Sequence, residues 1–405
     1  MASAQEALAE LVGADRGRLL AALTGQLGDL QLAEDCLQDA VESALEHWAR
    51  NGVPAKPQGW LLRVAQRKAI DRIRRDARFR DKVTELAELS SEEAPEPDAI
   101  PDERLAMIFT CCHPALDAKS RVALTLRTIG GLTTQDIARA FLDKDATMGQ
   151  RLSRAKNKMR HAGISFQVPG AELWPERLHS VLTVIYLIYN QGYTAGAEDV
   201  PARAGLCEEA LFLARLVNEL QPGDPEIEGL VALMLLSHAR HAARMNGAGT
   251  LVPLSQQNAD LWDQALIDEG QAWLDRAIAR GASGRFQLQA AINALHVEGG
   301  RSGATDWRQI VLLYDALLRL EPSPVVALNR LAALAEIAGA DAVLDGVTKL
   351  GETLSSYQPF QATLASLQAR AGNTSAARAA YEQAIHLSED TAQIAYLRGQ
   401  LEALS

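Results

Sequence analysis

Aromatic residues are scarce in this chain of 405 residues: six Trp, seven Tyr and seven Phe make up 5%. With Ala and Leu abundant, that scarcity suits helices packed closely on small side chains, and the expected fold class is all-α. Long apolar runs are also missing. The longest, "VLTVIYLIYN" from Val181 to Asn190, is too short to span a bilayer. No basic segment followed by an apolar stretch opens the chain, so the expectation is a cytoplasmic protein with no membrane partner. The four cysteines, Cys36, Cys111, Cys112 and Cys207, form no C-x-x-C pair, and Cys111 and Cys112 beside His113 lack a metal-binding spacing. They are expected to be buried small hydrophobes. There is no Gly-rich phosphate loop, zinc spacing or Ser, His and acid arrangement, so neither an enzyme nor a cofactor is expected.

What is present is blocky. Hydrophobic residues at 48% and charged residues at 22% describe a folded chain rather than a disordered one, and its length suggests two or three domains. The net charge of −11 is unevenly spread: residues up to Pro169 carry 24 bases and 24 acids, and the remainder 16 bases and 27 acids. Within the neutral part, Trp60 to Lys82 holds nine bases and three acids, Val83 to Glu103 eight acids and no base, and Asp143 to His161 six bases and two acids. Such blocks mark separate surfaces.

The stretch "LTTQDIARAFLDKDATMGQRLSRAKNKM", Leu132 to Met159, reads as two short helices and a tight turn. Thr133 with Asp136 fits a capping box for a first helix reaching about Phe141, and Asp145 is expected to cap the second. On a helical wheel Met148, Leu152, Ala155 and Met159 form one stripe, while Gln150, Arg151, Arg154 and Lys158 gather on another face. A helix-turn-helix uses such a face to meet base edges and phosphates in the major groove. A plain amphipathic hairpin with a solvated basic face fits the same pattern.

A second basic helix is of another kind. In "WLLRVAQRKAIDRIRRDARFR", Leu62, Ala65, Ala69 and Ile73 make the packing stripe, and Trp60, Arg63, Arg67, Asp71, Arg74 and Arg78 line up roughly opposite. Guanidinium groups pair with phosphates and stack on bases, and an indole offers a platform for an unpaired base, so this face suits opened nucleic acid. A core Trp followed by a solvated Arg run is the other reading.

"LAEDCLQDAVESALEHW", then "GWLLRVAQRKAIDRIRR", an acidic linker and "SRVALTLRTIGGLTTQDIARAFLDKDATMGQRLSRAKNKMR" together resemble the two conserved regions of an ECF (extracytoplasmic function) sigma factor, in the family's order and over roughly residues 5 to 165. The resemblance implies that Asp35, Gln38 and Asp39 contact core RNA polymerase, and that the Trp60 helix holds the downstream promoter element as it melts. Arg67 falls where the family often carries Asn, which leaves its base preference open. It also implies that Gln150, Arg151, Arg154 and Lys158 take the upstream promoter element. The segment "ELAELSSEEAPEPDAIPDE", with Pro95, Pro97 and Pro101 and no apolar period, is expected to be an extended linker.

From about Ala171 the chain reads as helix after helix. Tyr314 and Tyr381 stand 67 residues apart, close to two tetratricopeptide periods of roughly 34. This part also resembles the helical extension that one subgroup of ECF factors carries. Asn190, Gln191, Tyr193, Gln289, Asn293, His296, Asn329 and Arg330 sit in otherwise apolar helices, where they line a groove or satisfy interhelical hydrogen bonds. The expected layout is a core-polymerase and downstream-element domain over 1–82, an acidic linker over 83–103, a helix-turn-helix domain over 104–166, and an α-solenoid-like regulatory domain over 171–405. The expected partners are core RNA polymerase and promoter DNA, with the C-terminal domain touching the promoter-binding half of its own chain. The rival layout is a helix-turn-helix activator fused to a repeat sensor, which never acts as a sigma subunit.

Overall fold

A computed structural model describes residues 4–75, 102–141, 143–193, 201–247, 249–388 and 390–404. Among them the secondary structure is helical, with one isolated β-bridge between Met245 and Leu251. The chain divides into two compact units, Met1–Ile188 and Tyr189–Ser405.

The first unit opens with α1 (Ala4–Leu27), α2 (Leu30–Asn51) and α3 (Pro57–Arg75). Asp29 starts α2 by accepting hydrogen bonds from the amides of Gln31 and Leu32 at 2.9 and 3.1 Å, satisfying two of the donors a helix start leaves open. Alanines recur on the buried faces, Ala33, Ala40 and Ala44 in α2 and Ala65 and Ala69 in α3, and let the backbones approach. The whole stripe expected for α3, Leu62, Ala65, Ala69 and Ile73, is buried.

Next come α4 (Arg104–Cys111), α5 (Ala118–Thr128), α6 (Thr134–Ala140) and α7 (Asp145–His161). α8 (Trp174–Tyr193) begins against α4. The Trp174 ring lies 5.0 Å from that of Phe109, Arg177 donates to the Phe109 carbonyl at 2.6 Å, and Ser180 donates to the Cys112 carbonyl at 2.8 Å. The first unit therefore runs on to Ile188, beyond the expected domain start at residue 171. The expected linker over 83–103 lies outside the described residues except for Asp102 and Glu103.

The second unit contains α9 (Pro201–Leu220), α10 (Pro225–His238), α11 (Gln264–Ala279) and α12 (Arg285–Ser302), with three short 3-10 turns between α10 and α11. Gly229 marks a close approach of α10 to α12, because a Cβ there would stand 2.7 Å from the backbone nitrogen of Gln287. Beyond it run α13 (Trp307–Leu320), α14 (Pro324–Ala338), α15 (Leu344–Leu354), α16 (Gln358–Arg370), α17 (Thr374–Leu387) and α18 (Thr391–Glu402), a series of helical hairpins of the solenoid kind. Tyr381 is buried among Ala365, Ala380, Ala384 and Leu397, whereas Tyr314 is half-buried beside Ile310 and Ala333.

All four cysteines are free and buried. Burial pushes the thiols up, to about 11 for Cys36 and Cys112 and about 12 for Cys111 and Cys207. Among the described residues no helix is long and apolar enough to cross a membrane.

Candidate nucleic-acid interface

On α2, Asp35 and Asp39 lie one turn apart and share a partner on α3. Arg72 reaches Asp35 at 3.4 Å and Asp39 at 2.8 Å, while exposed Gln38 donates to Glu42 at 3.3 Å. The three predicted residues thus share a surface, and Arg72, which the wheel alone did not single out, holds its two acids in register.

On α3, Arg67, Asp71 and Arg74 are exposed and Arg63 is half-buried; Arg78 lies outside the described residues. Trp60 is not a free platform. It is half-buried, with its ring 5.4 Å from His47 and edge-on to Trp48 at 5.6 Å. With Ser43, Glu46, His47, Arg50, Asn51 and Val64 it lines a shallow cavity of about 280 Å³, so one ring edge is anchored in the core while the remainder faces an open recess.

The helix-turn-helix forms as its capping box demands: the Thr133 hydroxyl donates to Asp136 at 2.5 Å and accepts from the Asp136 amide at 3.1 Å. One detail differs, in that Lys144 holds the extended N-cap position of α7 and Asp145 is the first helical residue, where its charge meets the helix dipole. Met148, Leu152, Ala155 and Met159 are buried. Gln150, Arg154 and Lys158 are exposed, and with Arg151 they line a groove of about 210 Å³ that also takes in Asp117, Ser120 and Thr147. Arg151 is paired with Asp143, and Arg154 donates to Gln150 at 3.3 Å, so the groove's donors are ordered before any ligand arrives.

Periodicity did not reveal how the two halves of the first unit meet. Glu34 of α2 is buried and gathers three cations: Lys156 of α7 by a direct ion pair, Arg16 of α1 at 3.3 Å and Arg127 of α5 at 3.6 Å. Arg16 also donates to the Arg127 carbonyl at 2.9 Å, and Arg160 pairs with Asp29 at 3.0 Å. Gly17 fits against α5 where a Cβ would meet the Ile129 carbonyl at 3.1 Å. A cavity of about 610 Å³ lies along this seam, and its lining includes Asp35 and Gln38.

In the second unit the polar residues expected in a groove are mostly tied to neighbours. Asn293 accepts from Arg240 at 2.6 Å and donates to the Gln289 carbonyl at 3.4 Å, Arg330 pairs with Asp315, and Tyr193 lies beneath Arg244 at 3.8 Å. Asn329 is exposed, and Asn190 and Gln191 are half-buried.

A three-helix unit with an acidic face and a basic, aromatic one, followed by a helix-turn-helix, defines the sigma-70 class of transcription initiation factor. Residues 11–79 match the family described as Sigma-70 region 2, residues 106–159 that described as Sigma-70, region 4, and residues 177–278 a family of unknown function (DUF6596). A protein of Rhizobium meliloti (strain 1021), itself described as uncharacterized, is 41% identical over 397 residues, 96% of this chain and 94% of its own length. "Probable ECF RNA polymerase sigma factor SigI" of Mycobacterium tuberculosis, in strains CDC 1551 / Oshkosh and H37Rv, is 28% identical over 169 residues, 40% of this chain and 55% of its own length. The chain thus carries sigma-70 regions 2 and 4 in that order, followed by a C-terminal helical extension, a layout that fits an ECF sigma factor.

Proposed function

We propose that this sigma factor docks on core RNA polymerase through Asp35, Gln38 and Asp39, holds the melting downstream element on the Trp60 face of α3, and reads the upstream element with Gln150, Arg151, Arg154 and Lys158. The polymerase supplies the chemistry, and the cytoplasm is the compartment where both partners are found. The observation that carries this reading is the α2–α3 pair, in which Arg72 locks an acidic docking face beside a basic, aromatic one. A duplex-binding activator needs neither face.

The Glu34 cluster adds a step. Asp35 and Gln38 face the seam between the two promoter-binding regions, so polymerase docking there requires the seam to open. Closed, the factor crowds the approach to that face, on which Asp35 and Gln38 stay open to solvent. Open, it presents both regions. The C-terminal unit modulates this balance.

Transcription in vitro with core polymerase lacking any sigma subunit tests the reading. Promoter-dependent initiation is expected, and charge reversal at Asp35 and Asp39 is expected to weaken core binding while the fold persists. DNA binding without initiation would point to the activator instead, and unchanged core affinity in the reversed variant would remove the docking assignment.

A further inference from the structure

The segment that closes α10 and continues past it, "SHARHAAR", places His238, Arg240, His241 and Arg244 within seven residues. The fold draws them together with Tyr193, Asn293 and His296. Arg240 is 7% exposed, and its hydrogen bonds go to neutral acceptors: the Asn293 side chain at 2.6 Å and the Leu236 carbonyl at 3.4 Å. Arg244 donates to the Tyr193 carbonyl and lies over that ring at 3.8 Å. No described acidic residue forms an ion pair with either arginine.

That arrangement is unusual, because a guanidinium removed from water normally meets a carboxylate, and hydrogen bonds to amides and carbonyls leave its charge uncompensated. Elsewhere in the same unit a buried charge does find an opposite one, with buried Glu228 pairing with exposed Arg280 at 2.9 Å. The histidines deepen the imbalance. His238 stacks on His241 at 5.5 Å and keeps a buried ring nitrogen, Nδ1, without a hydrogen-bond partner. Burial, then the neighbouring Arg240, pulls His296 down to about 4, and burial, then His238 and Arg244, lowers His241. Glu208 and Asp263 oppose the shift at His238 without overcoming its burial. His241 is exposed, so the cluster is open to solvent on one side.

We propose that this cluster in the C-terminal unit is a binding site for the phosphate group of a small ligand. Two arginines supply the charge that a phosphate dianion balances, Arg in its planar fork is suited to two of the oxygens, and neutral imidazoles offer N–H donors to the others. The inference goes beyond the transcriptional reading and does not depend on it, because it concerns the second unit alone.

Thermal unfolding of the full chain tests it, with inorganic phosphate and glycerol 3-phosphate as probes and sodium chloride matching the ionic strength. The wild-type midpoint is expected to rise with either probe relative to chloride, as ligand binding to the folded state requires. A response to the monoester alone would identify an organic phosphate as the ligand, and equal responses free phosphate as sufficient. Arg244→Gln is expected to weaken the apparent affinity at least about tenfold, the loss of a charge-assisted contact. Arg240→Met is expected to abolish the response while unfolding no earlier than wild type in chloride, since it removes an uncompensated charge. If Arg240→Met does not fold, Arg244→Gln decides. A wild-type midpoint that responds to neither probe beyond chloride, or an Arg244→Gln response equal to wild type, overturns the proposal.

Discussion

Glu209 and Glu34 are carboxylates placed where a helix should be apolar, and they meet opposite fates. Glu209 falls on the stripe of Leu206, Ala210, Leu213 and Val217, and its Oε1 is buried without a hydrogen-bond partner. Burial pushes its pKa from 4.5 up to about 7. Between those values the folded chain holds a proton that the unfolded chain has released, so stability falls as pH rises through that window and stays lower above it. His296 acts on the other arm: with its pKa pulled from 6.5 to about 4, the stability it contributes is intact above 6.5 and is lost as pH falls toward 4. Glu209→Gln should therefore raise the unfolding midpoint of the second unit at pH 8, by up to roughly 3 kcal/mol of stability, and change it little at pH 4. A midpoint at pH 8 no higher than wild type would discard this account. Glu34 finds three cations instead. Neither residue was singled out by the sequence, because which buried acid finds partners depends on the packing of distant elements.

Among elements, α7 shows how far periodicity reaches. Its packing stripe and the separate face of Gln150, Arg151, Arg154 and Lys158 follow from 100° per residue and are seen in the structure, as is the Thr133–Asp136 box that starts α6. Lys156 stands between those two faces on the wheel, and its partner Glu34 lies 122 residues away, a distance no helical period encodes. How Trp60 packs was open in the sequence for a similar reason: its contact with Trp48 depends on how the α2–α3 turn reverses the chain. Two variants separate the roles of α7. Arg151→Ala and Arg154→Ala should each cost about 1–3 kcal/mol of upstream-element binding if they meet base edges. Equal losses on every sequence would make them phosphate contacts. Lys156→Glu should leave DNA reading alone but repel Glu34, widening the distance between labels on α2 and α7 and raising affinity for core polymerase. Unchanged label distances would show that the Glu34 cluster does not hold the seam.

At the scale of the molecule, the charge split assigns the whole excess of −11 to the part beyond Pro169, while the promoter-binding half is neutral and carries its bases on α3 and α7. The coarse plan of two sigma regions and a helical extension was legible through a resemblance, because the quoted segments stand in the order an ECF sigma factor has them; period and charge blocks alone left other readings open. The junction was not, because α8 is apolar along most of its length and only its contacts, Arg177 to Phe109 and Ser180 to Cys112, show that its first half completes the α4–α5 core. A truncation that tests the extension should therefore end after Tyr193, keeping α8 whole. We expect the truncated protein to fold and to lose promoter-dependent transcription if the extension supports activity. A gain in transcription that fades with added salt would instead identify the extension as a screened electrostatic mask. No change in core binding, promoter binding or transcription would leave the extension without a regulatory role.

The Glu34 seam also bears on timing. Because it joins two parts of one chain, its opening is a unimolecular event that polymerase cannot hasten by colliding more often. Association followed by stopped flow should thus rise with polymerase concentration only to a plateau, and the plateau is the opening rate itself. A cell holding many copies of such a factor would have a pool that answers with a built-in delay, set by one carboxylate and three cations rather than by abundance.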